Sequence, residues 1–202
     1  MVIEINELTI KTDNQKTEKE KPIIKKLTVK DLQKLNITHG FTRWVESSGE
    51  KGKSELRQFL GQRLTEGANI LVAIQGNRIV GFAIVVDWPT LPNAKALDAM
   101  EIAQPYRKKG IGSMLVKKII KEWDTLIALI PSPEPGRERD LERFYEKFGF
   151  RHIAEDAMVL LPKSDNKLKR WVVYLQRLLY VYDSLLKEMK TVTEKERESG
   201  TQ

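Results

Sequence analysis

The spacing of hydrophobic residues changes several times along the chain, and each change marks a predicted element. Between residues 54 and 66 the apolar positions recur every three or four residues, which predicts an amphipathic helix: Leu56, Phe59, Leu60 and Leu64. The next stretch, NILVAI, QGNR and IVGFAIVVDW, has the pattern of strand, turn and strand. The first half of the chain therefore predicts a helix that leads into a β-hairpin.

Strands and helices also alternate on both sides of this hairpin. Upstream, IIKKLTV predicts a strand, and TVKDLQKLNI predicts a short helix capped by Thr28 with Asp31 in its first turn. Downstream the pattern predicts a strand LDAMEIA, a helix Ile111–Trp123, a buried strand TLIALI, a helix Arg137–Phe148 ending at Gly149, and one or two strands in FRHIAEDAMVLLP. This order is typical of an α/β or α+β sandwich with a mixed sheet.

The two ends of the chain differ from the middle. Residues 1–21 alternate imperfectly at first, which predicts one strand, and then become highly charged. Residues 163–202 contain a long amphipathic helix, with apolar positions four and three residues apart: Trp171, Leu175, Leu178, Tyr182, Leu185 and Met189. The chain is thus divided into an N-terminal extension (1–21), a central domain (22–162) and a helical tail (163–202).

The tail helix has two interpretations. Its stripe is wider than the seam of a two-stranded coiled coil, because Val172, Leu179 and Leu186 repeat beside the main row. It can therefore pack on its own domain or pair with a second copy of the chain, and the sequence does not decide between these two.

Composition narrows the class of protein. The 202 residues, 41% of them hydrophobic, suffice for one domain with extensions. The absence of cysteine removes disulfides, thiolate metal sites and cysteine nucleophiles, and no His, Asp or Glu cluster has metal-ligand spacing, so no metal is expected. The net charge of +7 is spread along the chain and suits an anionic ligand. With neither a signal peptide nor a membrane-length apolar run, we expect a cytoplasmic protein.

One segment imitates a phosphate-binding loop. SSGEKGKS at residues 47–54 ends like a P-loop, but Ser47 stands where the motif needs its first glycine, and no buried strand precedes it. We interpret it as a glycine-bearing loop in which Ser54 caps the following helix.

A better anion site lies in EIAQPYRKKGIGSML, residues 101–115. It joins an apolar strand to an amphipathic helix, and the unpaired amides at a helix N-terminus attract anions. Gly110 and Gly112 leave the backbone accessible, and three consecutive cations add charge: Arg107, Lys108 and Lys109. Leu115 stands where a dinucleotide-binding motif needs its third glycine, which disfavours that class of fold.

Two motifs together carry a resemblance to a known family. Arg107–Gly112 resembles the acyl-CoA motif of the GNAT superfamily of N-acyltransferases, Arg/Gln-x-x-Gly-x-Gly/Ala between a strand and a helix. RFYEKFGF at Arg143–Phe150 resembles the family's second signature, an aromatic-Tyr-x-x-x-Gly-Phe helix end. The resemblance covers about residues 23–162. It implies a mixed, mostly antiparallel sheet, flanked by helices, whose fourth and fifth strands splay apart.

The resemblance also implies acetyl-CoA as acyl donor and a set of contacts for it. The pyrophosphate would lie on the amides of the 107–112 turn, and the pantetheine arm would run along 102–104. The implied contact residues are Ile102, Ala103, Gln104, Arg107, Lys108, Lys109, Gly110, Ile111, Gly112, Ser113, Tyr145 and Lys147. One position departs from the family pattern: Glu138 stands where many relatives have a pantetheine-binding asparagine.

Two side chains are predicted to carry the acid–base chemistry. An amine acceptor must lose a proton before it attacks a thioester, and Glu101, on the strand that leads into the motif, is the candidate base. The resemblance implies that Tyr145 protonates the departing thiolate. A backbone N–H near residues 102–103 is the predicted oxyanion donor. Because the chain has no cysteine, we expect direct transfer in a ternary complex.

The acceptor is not determined by the sequence: it can be a protein N-terminus, a lysine or a small amine. Neither His39 nor His152 is expected to be catalytic. His39 lies in a region that lines the acceptor site in the family, and three residues near it are candidates to shape a substrate pocket: Phe41, Trp44 and Val45. Asp87-Trp88-Pro89 form a second candidate rim of this pocket.

Two other functions compete with this one. The chain can be a non-catalytic member of the family that binds CoA or a partner through its C-terminal helix. It can also bind nucleic acid through its basic surface, but the scattered charge and the lack of a helix-turn-helix or zinc pattern disfavour that hypothesis.

Overall fold

The predicted hairpin lies at the centre of one eight-stranded sheet. In the computed structural model, which describes residues 20–88, 91, 93–153 and 157–199, the strand order is β1-β3-β4-β5-β6-β8-β7, with β2 paired to the start of β4. The strands are β1 (Ile23–Lys26), β2 (Asn36–Ile37), β3 (Asn69–Gln75), β4 (Arg78–Asp87), β5 (Lys95–Ile102), β6 (Ile127–Leu129), β7 (Arg151–His152) and β8 (Met158–Leu160). The predicted N-terminal strand lies outside the described residues.

Most of this sheet is antiparallel, as the resemblance implies. Among the strands that the structure describes, only β2–β4 and β5–β6 are parallel pairs. The β5–β6 ladder is short: Lys95 pairs with Ile127 and Ala96 with Ala128, and then the strands diverge. Among the described residues, no strand pairs with the rest of β5 on that side, so the sheet opens along β5 up to Ile102. The predicted separation of the fourth and fifth main strands is confirmed.

Helices cover both faces of the sheet, because β3 alternates between two apolar clusters. Leu71 and Ala73 face one cluster, which also contains the buried residues of α3 (Ile111–Glu122) and the aromatic end of α4 (Glu138–Glu146). Ile70, Val72 and Ile74 face the other cluster, which also contains buried residues of α1 (Val29–Lys34) and α2 (Gly49–Thr65). The two-residue period of the strand thus specifies a three-layer arrangement.

The predicted helix starts have mixed outcomes. Thr28 caps α1 in a full capping box with Asp31, as the sequence predicts. The loop predicted at residues 47–54 is wrong, because α2 already begins at Gly49. Gly52 allows this start, since a β-carbon there would lie 2.2 Å from the carbonyl oxygen of Ser47. The Glu55 carboxylate then accepts the Ser47 amide (3.0 Å), which holds the preceding turn against the helix.

The chain divides into two compact units, one ending at Leu160 and one beginning at Leu161. The second consists of helix α5 (Asp165–Ser199), which has the predicted spacing of apolar residues. These side chains are exposed over most of the helix, for example Leu178 by 41% and Leu185 by 52%. Within the described parts of the chain, we find no helix with the length and apolar content needed to cross a membrane.

Candidate active site

The turn before α3 presents unpaired backbone amides. A short 3₁₀ turn (Gln104–Tyr106) follows β5, and Lys108 (φ 61°) and Gly110 (φ 80°) then adopt the left-handed conformation. The first amide bonded within α3 is that of Met114, which donates to the Gly110 carbonyl (3.1 Å). No side chain caps this helix, so the amides that precede Met114 can receive an anion. We call residues 110–113 the amide cradle.

The two glycines of the cradle differ in surroundings. A β-carbon on Gly110 would have no heavy atom within 4 Å, so there is room for a side chain at this position. Glycine is favoured there because the backbone is left-handed. A β-carbon on Gly112 would lie 3.4 Å from the Phe144 ring and 4.0 Å from Ile102. Any larger side chain at Gly112 must therefore enter the space between α3, α4 and β5.

That space is a cleft of about 730 Å³, the size of a small-molecule site. It extends from the amide cradle along the free edge of β5 to α4. Cations dominate its charged lining, which comprises Arg43, Arg107, Lys108, Arg137, Arg143, Lys147, Glu101, Glu134 and Asp140. The excess of cations favours a ligand with several negative charges.

Most predicted contact residues line this cleft, but four do not. Those that do are Ile102, Arg107, Lys108, Gly110, Ile111, Gly112, Ser113 and Lys147. Ala103 is fully buried, Gln104 lines a different cavity, and the Lys109 ammonium lies over the Tyr106 ring, 5.3 Å from its centroid. Tyr145 lies behind the cleft wall, in the apolar cluster of α3 and α4.

The edge of β5 locates the free backbone donors. The Ala103 amide donates to the Val80 carbonyl (3.0 Å) in the ladder with β4, so of the two predicted oxyanion donors, residues 102 and 103, it is excluded. Along a strand of an antiparallel pair, the amides of successive residues point alternately towards and away from the partner strand. The amides of Met100 and Ile102 therefore point away from β4, into the opening. The Ile102 carbonyl on the same edge already accepts a hydrogen bond from Arg107 Nε (3.0 Å). The Met100 and Ile102 amides are thus the hydrogen-bond donors that this edge offers to a ligand.

Glu101 is buried at the inner end of the cleft. The residue is only 4% exposed, and Oε1 accepts hydrogen bonds from the backbone amides of Thr42 (2.7 Å) and Arg43 (3.3 Å). The nearest charge is the Arg107 guanidinium, 3.9 Å from Oε1. Oε2 is buried and has no hydrogen-bond partner. Since an unpaired buried carboxylate oxygen is costly and Glu101 lines the cleft, a ligand donor that reaches Oε2 would be stabilising.

Tyr145 is held by aromatic packing. Its ring meets Phe144 and Phe150 edge to face, with centroids 5.1 and 5.6 Å away. Burial raises the pKa of the Tyr145 hydroxyl far above its ordinary range, and the charge of Arg43 opposes this shift only in part. The phenol therefore keeps its proton at neutral pH and can act only as a proton donor.

This burial predicts a stability difference at alkaline pH. In the unfolded chain a tyrosine ionises at about pH 10, whereas folded Tyr145 stays protonated to higher pH. Its contribution to the free energy of unfolding is therefore complete below about pH 10 and decreases as the pH rises further. We expect Tyr145→Phe to lose less stability than the wild type between about pH 8 and about pH 11, measured by urea unfolding. Equal losses in the two proteins would contradict the placement of Tyr145.

Two sets of hydrogen bonds between loops at the cleft were not predicted from the sequence. Arg43 donates to the carbonyl and, over 2.6 Å, to the hydroxyl oxygen of Ser132. Arg107 donates to Glu134 (2.7 Å), and this hydrogen bond, with the charge of Arg107, lowers the pKa of Glu134. Thus the 130–137 loop is joined to the Thr42–Arg43 loop and to the turn before α3. No local pattern marks these residues, because their partners are far away in the sequence.

Glu138, at the position of the usual asparagine, does not line the cleft. Its Oε1 accepts the Gly136 amide (3.0 Å), and hydrogen bonds from backbone amides lower the pKa of Glu138. Asp140 and Leu141 line the cleft instead, at the start of α4. The departure seen in the sequence thus corresponds to a side chain used to stabilise a turn.

A family model matches part of the sequence, and solved structures match the fold. Residues 66–152 match the family model of the acetyltransferase (GNAT) domain. No curated protein matches the sequence. Among solved structures, a protein assigned to the GNAT family of acetyltransferases from Desulfovibrio desulfuricans is 16% identical, with a TM-score of 0.51 over 69% of this chain and 96% of its own.

Two further structures have the same fold. The acetoin utilization protein from Exiguobacterium sibiricum is 17% identical, with a TM-score of 0.53 over 79% of this chain and 98% of its own. The toxin AtaT, in a Tyr-to-Phe mutant bound to the C-terminus of the antitoxin AtaR, is 13% identical, with a TM-score of 0.51 over 70% of this chain and 92% of its own. Residues 66–152 are thus similar to the acetyltransferase (GNAT) domain, and the sheet domain has the fold of these three structures.

Proposed function

We propose that the protein is an N-acetyltransferase that moves an acetyl group from acetyl-CoA to a primary amine. One observation carries this proposal: the opening along β5 joins unpaired amides at Gly110–Ser113 to the unpartnered carboxylate oxygen of Glu101. An anion-binding end and a proton-accepting end within one cleft are the two requirements of such a transfer. The acceptor amine belongs to a protein, a peptide or a small molecule.

The cleft fits acetyl-CoA as a bound cosubstrate. The amide cradle would hold the pyrophosphate, and Lys108, Arg143 and Lys147 would supply positive charge for the phosphates. The free amides of Met100 and Ile102 would pair with the pantetheine arm, since they are the donors that the separation of β5 and β6 leaves unused. The thioester supplies an activated acyl group with a good leaving group.

Acid–base roles follow from burial. Glu101 Oε2 accepts the proton that the amine must lose, while Oε1 stays bonded to the Thr42–Arg43 loop. The amine nitrogen forms a bond to the carbonyl carbon, and the bond from that carbon to sulfur breaks. The Tyr145 hydroxyl is buried beside the cleft, within range of the charge of Arg43 in the cleft lining, and it gives its proton to a thiolate that departs towards it. The Ile102 amide, which is one of the two predicted oxyanion donors and is not used by the ladder with β4, would face the carbonyl oxygen.

Thiol release from acetyl-CoA, followed across a panel of amines and peptides, tests this proposal. We expect turnover with at least one acceptor and a drop in kcat of about 100-fold in Tyr145→Phe, because proton transfer from the acid is lost. Tyr180→Phe, which removes a hydroxyl from an exposed ring on α5, is the matched control and keeps full kcat. Equal rates in Tyr145→Phe and the wild type would remove the acid role of Tyr145.

A second candidate function rests on the exposed apolar side chains of α5. Large apolar side chains of this helix are exposed, among them Leu179 (63%), Tyr182 (60%) and Met189 (67%). Exposed apolar side chains close together on one helix favour assembly with a partner helix. AtaT, which shares the fold of the sheet domain, was solved with a bound segment of AtaR. We propose that α5 pairs with α5 of a second copy, since its heptad spacing is self-complementary.

Sedimentation of the full chain and of a chain ending at Pro162 tests this pairing. We expect a dimer for the full chain and a monomer for the shortened one, because the apolar stripe lies on α5. The matched variant Leu178→Lys with Leu185→Lys places two charges in the stripe and gives a monomer at full length. A full-length wild-type monomer at micromolar concentration would exclude the dimer.

A further inference from the structure

A second group of cavities lies on the other side of the Glu101–Thr42 contact. One cavity of about 670 Å³ extends from Thr42 and Gln104 to Lys53, and another of about 580 Å³ continues from Lys53 to Arg78. The two share Ile37, Thr38, His39 and Lys53 as lining residues. We call this pair of cavities the basic groove. Its inner end is Thr42, whose amide is bonded to Glu101.

One face of α2 supplies much of the groove's charge. Lys53 and Arg57 lie one turn apart on this face, and Arg78 stands opposite at the start of β4. Two acidic residues line the groove: Glu50 in the outer cavity, whose carboxylate is paired with Lys53 at 2.6 Å, and Glu46 in the inner cavity. The Glu50 carboxylate is thus not available to neutralise the charge of Arg57.

Arg57 is the unusual member of the groove. One guanidinium nitrogen, Nη2, donates to the Leu35 carbonyl (2.8 Å). The other, Nη1, is buried and has no hydrogen-bond partner, and no carboxylate among the described residues forms an ion pair with Arg57. A guanidinium that has lost its water at one nitrogen without gaining an acceptor is destabilising on its own. Because Arg57 lines the outer cavity, a small shift of its guanidinium would let Nη1 donate to a carboxylate or phosphate oxygen in the groove.

We propose that the basic groove binds an anionic group of the acyl acceptor, a carboxylate or a phosphate, through Arg57 Nη1. This inference rests on the proposed acetyl transfer. The groove ends at Thr42, beside the carboxylate that takes the amine's proton, so one molecule can place its anion near Arg57 and its amine near Glu101. The acceptors that fit are therefore amines with a negative charge at a distance, such as acidic peptides or phosphorylated amines. Simple cationic polyamines lack the group that Arg57 needs.

Amide shifts of the ¹⁵N-labelled protein, titrated with inorganic phosphate and separately with acetate, test the groove directly. We expect saturable shifts at Thr38, His39 and Lys53, which are distinct from any shifts at the amide cradle. Arg57→Met should weaken binding in the groove by at least about ten-fold and leave the cradle shifts unchanged. Arg57→Lys, which keeps the charge but not the second N–H, should weaken it less.

Lys51→Met is the matched control, because it removes one exposed cation from α2 that does not line the groove. Its phosphate affinity should equal that of the wild type, and melting curves show that each variant folds. The ratio of the phosphate and acetate affinities shows which anion the groove prefers. Absent shifts in the groove, or equal shifts in Arg57→Met and the wild type, would overturn the site.

A second measurement links the groove to the reaction. Each amine of the acceptor panel is compared as a carboxylate and as its carboxamide. We expect the carboxylate to have the higher kcat/KM, and the ratio to fall about ten-fold in Arg57→Met. A ratio that stays the same in Arg57→Met would show that acceptors do not use the groove. If no amine is acetylated at all, the proposed function fails, while the anion titration still decides the groove.

Discussion

Gly112→Trp is expected to weaken acetyl-CoA binding by at least about 100-fold, since two or more charge-assisted hydrogen bonds to backbone amides are lost. The indole cannot stay in the cradle without entering the cleft, because even a β-carbon at Gly112 lies 3.4 Å from the Phe144 ring. The cations at the cleft remain in place, so the variant separates the backbone contribution from that of the charged side chains. Calorimetric titration with acetyl-CoA measures the change.

Met114→Trp is the matched control for this variant. It places the same indole two residues further along α3, on a partly exposed position that does not line the cleft. Its affinity should stay within about two-fold of the wild type. Thermal melting of both variants distinguishes a filled cradle from an unfolded protein. Wild-type affinity in a folded Gly112→Trp would show that acetyl-CoA does not use the cradle.

Glu101→Gln should reduce kcat by about 100-fold or more, with the affinity for acetyl-CoA unchanged. The amide oxygen of glutamine can still accept from Thr42 and Arg43, so the loop stays in place while the proton acceptor is lost. In kinetic terms the acceptor's KM should change far less than kcat. Single-turnover measurements with saturating acceptor separate the chemical step from binding.

Asp98→Asn provides the matched control, because it removes one carboxylate from the same strand. Asp98 is exposed and pairs with Arg63, away from the cleft. Its kcat should equal that of the wild type. A Glu101→Gln variant with full kcat would assign proton removal to another group, and Glu101 would then only position the Thr42–Arg43 loop.

The structure also changes the role of Arg107. The sequence suggests a phosphate contact, as the first residue of the acyl-CoA motif. In the fold its guanidinium bonds Glu134 and the Ile102 carbonyl and lies 3.9 Å from Glu101. It thereby links three segments that border the cleft: the β5 end, the turn before α3 and the 130–137 loop. We therefore expect the backbone amides, more than this cation, to form the proposed anion site.

Much of the fold follows from local patterns. The apolar periods predict α3, the β3–β4 hairpin and the short strand β6, and the capping residues of α1 are confirmed. These features are encoded within a few residues, because backbone geometry converts spacing into one buried face. The start of α2 was missed, since glycines usually end helices, and only the close approach of Ser47 explains Gly52.

The features of the candidate site also fall into those that local sequence determines and those that depend on tertiary contacts. The sequence by itself determined that a strand, a glycine turn and a helix start at residues 101–115, and that RFYEKFGF follows one strand later; local order and motif spacing are sufficient for that. Only the tertiary structure decided that Glu101 meets Thr42, that Tyr145 is buried behind the cleft, and that Arg57 has an unpaired nitrogen. Each of these depends on groups brought together from distant segments, where packing and lost water, not spacing along the chain, set the chemistry.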